Sequence, residues 1–144
     1  MKSILLIVIL LNVYLFSEKV YIHNEVRFDY NTSGVLRDVA SDKKTKEKIT
    51  GIIKKYDKFD GKLIYERQYI NGKPDGFSKS YYESGQLRSE SYYKNGKQNG
   101  LSKGYYKSGK LRFEISFKKN KEDGISKGYY ESGVLQHKAL YKDG

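Results

Sequence analysis

Two histidines, His23 and His137, and a scatter of carboxylates are the residues here whose chemistry could be catalytic. General acid–base work needs such groups within hydrogen-bond reach of one substrate atom, and a metal needs several of them at ligand spacing. His23 and His137 stand far apart in the chain, and no nucleophile motif, phosphate-binding glycine loop or metal-spaced cluster accompanies them. Glu90 and Glu114 recur at equivalent places beside Arg88 and Arg112, the pattern expected of cross-strand ion pairs on a solvated face. Cysteine is absent, which removes thiol catalysis, disulfides and thiolate metal sites. The inventory points to a non-enzymatic protein with no catalytic, cofactor-binding or metal-binding residue, and to no cofactor.

Lysine also recurs with a period. Formal net charge is +11, and loss of Met1 to Ser17 would remove only Lys2, leaving +10. Lys73, Lys97 and Lys121 form one series, Lys94, Lys118 and Lys142 a second, and Lys79, Lys103 and Lys127 a third. The first two series fall at turn positions at the same end of successive hairpins, so they are expected to form a basic ridge along one long edge. Such a ridge attracts anionic lipid headgroups, cell-wall polyanions or an acidic protein, with affinity that falls as salt rises. Turn lysines also serve solubility and edge protection, the alternative reading of the same residues. Nucleic acid ranks below these partners, because an exported protein seldom meets it.

The element that must position these residues is a repeat. Gly76-Phe-Ser-Lys-Ser-Tyr-Tyr-Glu-Ser-Gly-Gln-Leu-Arg returns from Gly100 and again from Gly124, a period of about two dozen residues that signals stacked supersecondary units. Phe77, Lys79 and Tyr81 alternate with Ser78, Ser80 and Tyr82. Glu83-Ser84-Gly85-Gln86 then gives a short loop, and Leu87 opens the return strand. In the next copy Leu111, Phe113, Ile115 and Phe117 point one way while Arg112, Glu114 and Ser116 point the other. Asn95-Gly96 closes the unit as a hairpin turn. The third copy has Asn120 where Gly96 stood, predicting a looser turn, and Asp75-Gly76, Asn99-Gly100 and Asp123-Gly124 read as further turn signals before each new copy.

Equivalent side chains are expected to stack in columns: Tyr81, Tyr105, Tyr129; Tyr82, Tyr106, Tyr130; Leu87, Leu111, Leu135; Gly85, Gly109, Gly133; and Tyr69, Tyr93, Phe117, Tyr141. No single hairpin can bury its apolar face, so these columns should form the core by packing on their neighbours. Ser80, Gly104 and Gly128 are small where a ring on the same face needs room. The tyrosines are read as packing residues of the repeat rather than as ligand-stacking platforms.

Tyr81-Tyr82-Glu-Ser-Gly-Gln-Leu87 followed by Tyr92-Tyr93-Lys-Asn-Gly-Lys-Gln-Asn-Gly100 resembles the bacterial variant of the MORN repeat, the unit of YwqK-type toxin–antitoxin family antitoxins. The resemblance covers Tyr56 to Gly144 strongly and Tyr30 to Gly51 faintly. It implies an all-β fold, an elongated, single-layered, twisted antiparallel sheet of successive hairpins, with roles in protein or membrane attachment. Its motif is structural and brings no catalytic residue. The family label also implies an antitoxin- or immunity-like protein that neutralises one specific protein toxin.

Taken in order, the chain reads as a signal peptide or anchor over 1–17, an amino-terminal strand and degenerate first repeat over 18–50, and the repeat array over 51–144. Lys2 and the apolar run Ile4 to Phe16 have the build of a secretory signal and are short for a membrane span of about 20 residues. Export to the periplasm, cell envelope or medium is the expectation, with an uncleaved amino-terminal anchor as its competitor. Val20, Ile22, Val26 and Phe28 alternate as one strand, Gly34-Val35-Leu36-Arg37 echoes the later units, and Asp42 to Lys48 reads as a solvated edge strand or loop. Gly51 to Gly76 is a longer copy turning at Phe59-Asp60-Gly61, and the single proline, Pro74, is placed in its closing turn. Leu135 to Tyr141 is left as an open edge, shielded by Lys138 and Lys142 or covered by another subunit in a homo-oligomer. The reading that results is an exported repeat scaffold engaging a protein partner or an anionic membrane or envelope surface. Its alternative is the antitoxin-like protein.

Overall fold

The computed structural model describes residues 19–30 and 36–142. Residues 1–17, expected to be a signal peptide or anchor, the 31–35 part of the amino-terminal copy and the final residues 143–144 lie outside them. The strands are β1 (Val20–Ile22), β2 (Val26–Tyr30), β3 (Leu36–Asp42), β4 (Gly51–Tyr56), β5 (Leu63–Ile70) and β6 (Lys73–Tyr81). They continue with β7 (Leu87–Lys94), β8 (Lys97–Gln98), β9 (Gly100–Tyr105), β10 (Leu111–Lys118), β11 (Lys121–Tyr129) and β12 (Leu135–Tyr141).

From β4 onward the strands other than β8 pair antiparallel in sequence order, up to β12 at the far edge. The short β8 and the longer β9 both pair with β7, as one line broken at Asn99, whose N–H bonds the carbonyl of Tyr92 at 2.8 Å. The result is a single open sheet of stacked hairpins, as the period requires. Nine strand positions at about 4.8 Å span roughly 40 Å.

The loops at one end follow the glycines. Gly85, Gly109 and Gly133 take φ of +86°, +82° and +92°, and each donates its N–H back to Tyr82, Tyr106 or Tyr130 at 2.8 to 2.9 Å. At the other end Asn71-Gly72 and Asn95-Gly96 have positive φ at both positions, the conformation of a type I′ hairpin turn. Lys119-Asn120 adopts the same conformation without glycine, at φ of 52° and 72°. The expected looser turn is not found. Asn120 tolerates the left-handed region, its side chain accepts the Gln98 N–H at 2.6 Å, and its own N–H bonds the Gln98 carbonyl at 2.9 Å.

Two further readings are corrected. Pro74 is the second residue of β6, paired with Tyr69, because the preceding Asn71-Gly72 already completes the turn. Asp75-Gly76 and Asp123-Gly124 lie inside strands, and Asn99-Gly100 at the β8–β9 join. Gly76, at φ +109°, lies within a register shift between β5 and β6, and a Cβ there would run into the Gln68 side chain.

The amino-terminal region departs most from its sequence pattern. The alternation from Val20 to Phe28 is cut by a 3₁₀ turn at His23–Glu25. Before the cut, β1 pairs parallel with β4; after it, β2 pairs with β3 in a separate two-stranded sheet. This hairpin lies over the first array unit, where Val26, Ala40, Ile49, Ile53 and Tyr69 form the buried apolar cluster. The fully buried core is therefore at this two-layered end. The aromatic columns thin out from it: Tyr69 is 2% exposed, Tyr93 and Phe117 are half-buried, and Tyr141 is 42% exposed. Asp42 to Lys46 form a loop whose Asp42 carboxylate accepts the N–H groups of Lys44 and Thr45 at 2.7 and 2.9 Å.

Candidate functional site

Pairing register sorts the repeated side chains into rows running across the strands. One row reads Lys54, Glu66, Lys79, Glu90, Lys103, Glu114, Lys127, each opposite the next. It is a ladder of alternating charge. Lys127 Nζ contacts Glu114 Oε1 at 2.8 Å and Lys54 Nζ contacts Glu66 Oε2 at 3.5 Å. The tyrosine of the following hairpin adds its hydroxyl: Tyr81 donates to Glu66 and Tyr105 to Glu90, both at 2.7 Å, and Tyr129 to Glu114 at 3.5 Å.

The expected pairing of Glu90 and Glu114 with Arg88 and Arg112 is thereby corrected. Residues two apart on one strand share a face but do not meet, whereas residues opposite across the ladder do. Arg112 lies instead over the Tyr106 ring, at 5.9 Å from its centroid. The Lys127 ammonium holds the Glu114 carboxyl below the usual carboxylate range, and burial followed by the Glu90 bond pushes the Tyr105 hydroxyl up to about 12. Lys79 and Lys103 are thus set between carboxylates and Lys127 is bonded to Glu114, and that series adds little positive field.

The other tyrosine column joins hairpin to hairpin. Tyr82 donates its hydroxyl to the Tyr105 carbonyl at 2.6 Å, and Tyr106 to the Tyr129 carbonyl at 2.7 Å. Leu87, Leu111 and Leu135 face Tyr81, Tyr105 and Tyr129 across each hairpin. The small residues also have an explanation. The space over Gly104 is taken by the Phe113 ring and that over Gly128 by His137, rings from the paired strand rather than from the tyrosine of the same copy. His137 is thereby placed in the last hairpin, while His23 stacks edge-on against Tyr65 at 5.8 Å.

The closing turns stand one per hairpin along one edge. Gly72, Gly96 and Asn120 donate their N–H groups to Ile49, Pro74 and Gln98 of the unit before, at 2.6, 2.7 and 2.9 Å. Asn71, Asn95 and Lys119 donate theirs to the side chains of Thr50, Asp75 and Asn99, at 3.0, 3.1 and 3.4 Å. Asp75 and Asn99 therefore act as staples for the next turn, not as turn residues themselves.

Lys73, Lys97 and Lys121 leave these turns and are exposed, roughly 10 Å apart at two strand spacings per hairpin. Lys94 and Lys118 enter the turns, and Lys142 follows the end of β12. Lys94 contacts Asp75 at 3.1 Å and Lys118 contacts Asp123 at 3.5 Å, so this second series is partly compensated. The Asn95 N–H, with Lys94 beside it, holds the Asp75 carboxyl below its usual range.

The ladder face also carries a row of apolar side chains. Tyr92, Leu101, Ile125 and Leu140 are 53, 38, 42 and 79% exposed along it. Sequence reasoning missed two hollows at the junction of the first two array hairpins, near Arg67 and Phe59. A signal was present: Ser89 stands where the next copies have Phe113 and His137, and Asp57 where they have Tyr82 and Tyr106.

Fold and rows together define a hairpin-repeat protein of one extended sheet, the architecture of a binding or scaffold repeat. Residues 74–95, 98–119 and 122–143 match the model of the MORN repeat variant, three consecutive repeats in phase with the hairpins. No curated protein and no solved structure matches the chain.

Proposed function

We propose that this chain is an exported, non-catalytic binding scaffold that engages an anionic envelope surface through its closing-turn ridge. The observation that carries the reading is the column of Lys73, Lys97 and Lys121, exposed and roughly 10 Å apart along the stapled turns. That spacing is about one Debye length at physiological salt, so neighbouring charges act on a surface together. Export rests on the apolar run after Lys2.

The test is the variant K73E/K97E/K121E, which reverses three charges without touching a ladder, staple or core residue. Binding to phosphatidylglycerol vesicles or purified anionic cell-wall polymer is expected in the parent, weakening steadily from low to physiological salt and lost in the variant. A dispersed control, K44E/K48E/K110E, carries the same charge change at exposed positions and should retain most binding. Equal loss in both would assign the effect to net charge, and no binding by the parent would defeat the reading.

The apolar row of Tyr92, Leu101, Ile125 and Leu140 favours a second reading, a protein partner on the ladder face. An antitoxin-like protein would hold one such partner tightly and with little dependence on salt.

A further inference from the structure

On the serine-bearing face one junction departs from the packing of the last two hairpins. In the last two hairpins a glycine lies beneath a ring, Gly104 under Phe113 and Gly128 under His137. In the hairpin before them the same pair is Ser80 and Ser89, joined only by a hydroxyl contact of 2.7 Å. The place of the ring is left as a trough of about 490 Å³. Arg67 reaches along it from β5, its Nε bonded to the Ser78 hydroxyl at 3.0 Å and its guanidinium 4.8 Å from the centre of the Tyr93 ring.

A second departure from the repeat falls at the same junction. Asp57 replaces the tyrosine that ties each later hairpin to the next, and its carboxylate instead accepts the Phe59 N–H at 2.7 Å. Here a wider hollow of about 680 Å³ opens between the hairpin loops. The two spaces share Ile64, Tyr81 and Arg88 among their lining residues and so adjoin.

We propose that this junction binds an acidic sugar, a hexose-sized ring carrying a carboxylate or phosphate. Arg67 supplies the positive charge on the trough's own face, Lys79 and Arg88 bordering it from strand positions that belong to the ladder face, and no carboxylate lines it; Asp57, Asp60 and Glu83 border only the outer hollow. Arg67 is pinned by Ser78 and Tyr93, so the remaining N–H groups of its fork are held ready for an oxyanion. Ser80, Ser89 and Ser91 offer hydroxyls that both donate and accept, which suits the hydroxyls of a sugar ring. Tyr65 and Tyr93 supply apolar walls, and the volume falls within the range of about 300 to 1,000 Å³ usual for small-ligand pockets. The site is separate from the lysine ridge and does not depend on that reading.

The experiment titrates the full-length protein with glucuronate, glucose 6-phosphate, glucose and inorganic phosphate, following binding by calorimetry and by amide chemical shifts. Two variants accompany it. S80G/S89F installs the glycine-and-ring pair of the next two hairpins, a combination this fold already accommodates, and R67Q removes the charge. The charged sugars are expected to bind with shifts centred on β6 and β7, and glucose at least about tenfold more weakly. R67Q should lose about tenfold and S80G/S89F should abolish binding with its thermal transition intact, while K73E/K97E/K121E binds sugar as the parent does. A soluble glucuronate-containing polymer, hyaluronan, separates the two sources of such a ligand: tighter binding than the monosaccharide assigns the site to a glycan chain, equal or weaker binding to a free sugar acid. The proposal is overturned if neither charged sugar binds, if S80G/S89F binds as the parent does, or if inorganic phosphate binds as tightly as glucose 6-phosphate.

Discussion

Replacing the joining tyrosines by phenylalanine separates the repeat's coupling from its packing. Tyr82→Phe and Tyr106→Phe each keep the ring and delete one hydroxyl, and with it a bond to the backbone of the next hairpin at 2.6 or 2.7 Å. A neutral hydrogen bond of this kind contributes about 1 kcal/mol net. For a fold of about 120 residues the unfolding entropy is roughly 0.25 kcal/mol per kelvin, so each change should lower Tm by about 4 °C. Tyr130→Phe is the internal control. Tyr130 is 51% exposed and no further hairpin follows it among the described residues, so its change should stay within about 1 °C. Calorimetry gives the three shifts, and hydrogen exchange adds a spatial readout: Tyr106→Phe should speed exchange in β11 and β12 more than in β6 and β7. Equal shifts for all three variants would show that the hydroxyls do not couple hairpins and would refute the reasoning.

Two other perturbations follow from the charge rows. Lys138 stands opposite Lys127 where alternation would place a carboxylate, so Lys138→Glu should raise stability by about 0.2 to 1 kcal/mol in urea unfolding, and should increase self-association measured by sedimentation because the β12 edge loses its guard. Asp75 and Glu114 titrate below their ordinary values in the folded protein, so their stabilisation is complete above the unfolded carboxylate range and is lost as pH falls through the folded values; Tm should drop between about pH 5 and pH 2, and less so in Asp75→Asn, whose amide oxygen still accepts the Asn95 N–H.

What could be read from the sequence was whatever the period repeats. Gly85, Gly109 and Gly133 announced their loops, and the tyrosine and leucine columns announced which residues align. What could not be read depended on register or on long-range contact. Glu90 has Arg88 as its neighbour in sequence, but Lys79 and Lys103 across the strands, and only the pairing decides between them. The alternation through Val20 and Phe28 looks continuous, and the 3₁₀ turn that breaks it is tied down from further along the chain, where the Lys43 N–H bonds the Glu25 carbonyl at 3.0 Å. The trough beside Arg67 lay in the departures of Ser89 and Asp57 from their own columns, a signal that averaging over copies conceals.

The order of the strands has a mechanical consequence. In the main sheet β1 and β12 are the two outer strands, so tension between Lys19 and Tyr141 pulls across the strands and meets their hydrogen bonds one line at a time, as in opening a zipper. Each hairpin that lets go gives up about 10 Å of sheet width and releases about two dozen residues, which extend to roughly 80 Å. Under load the molecule would lengthen stepwise from its carboxy-terminal hairpin, where burial is least, and the two-layered end beneath β2 and β3 would be the last to open.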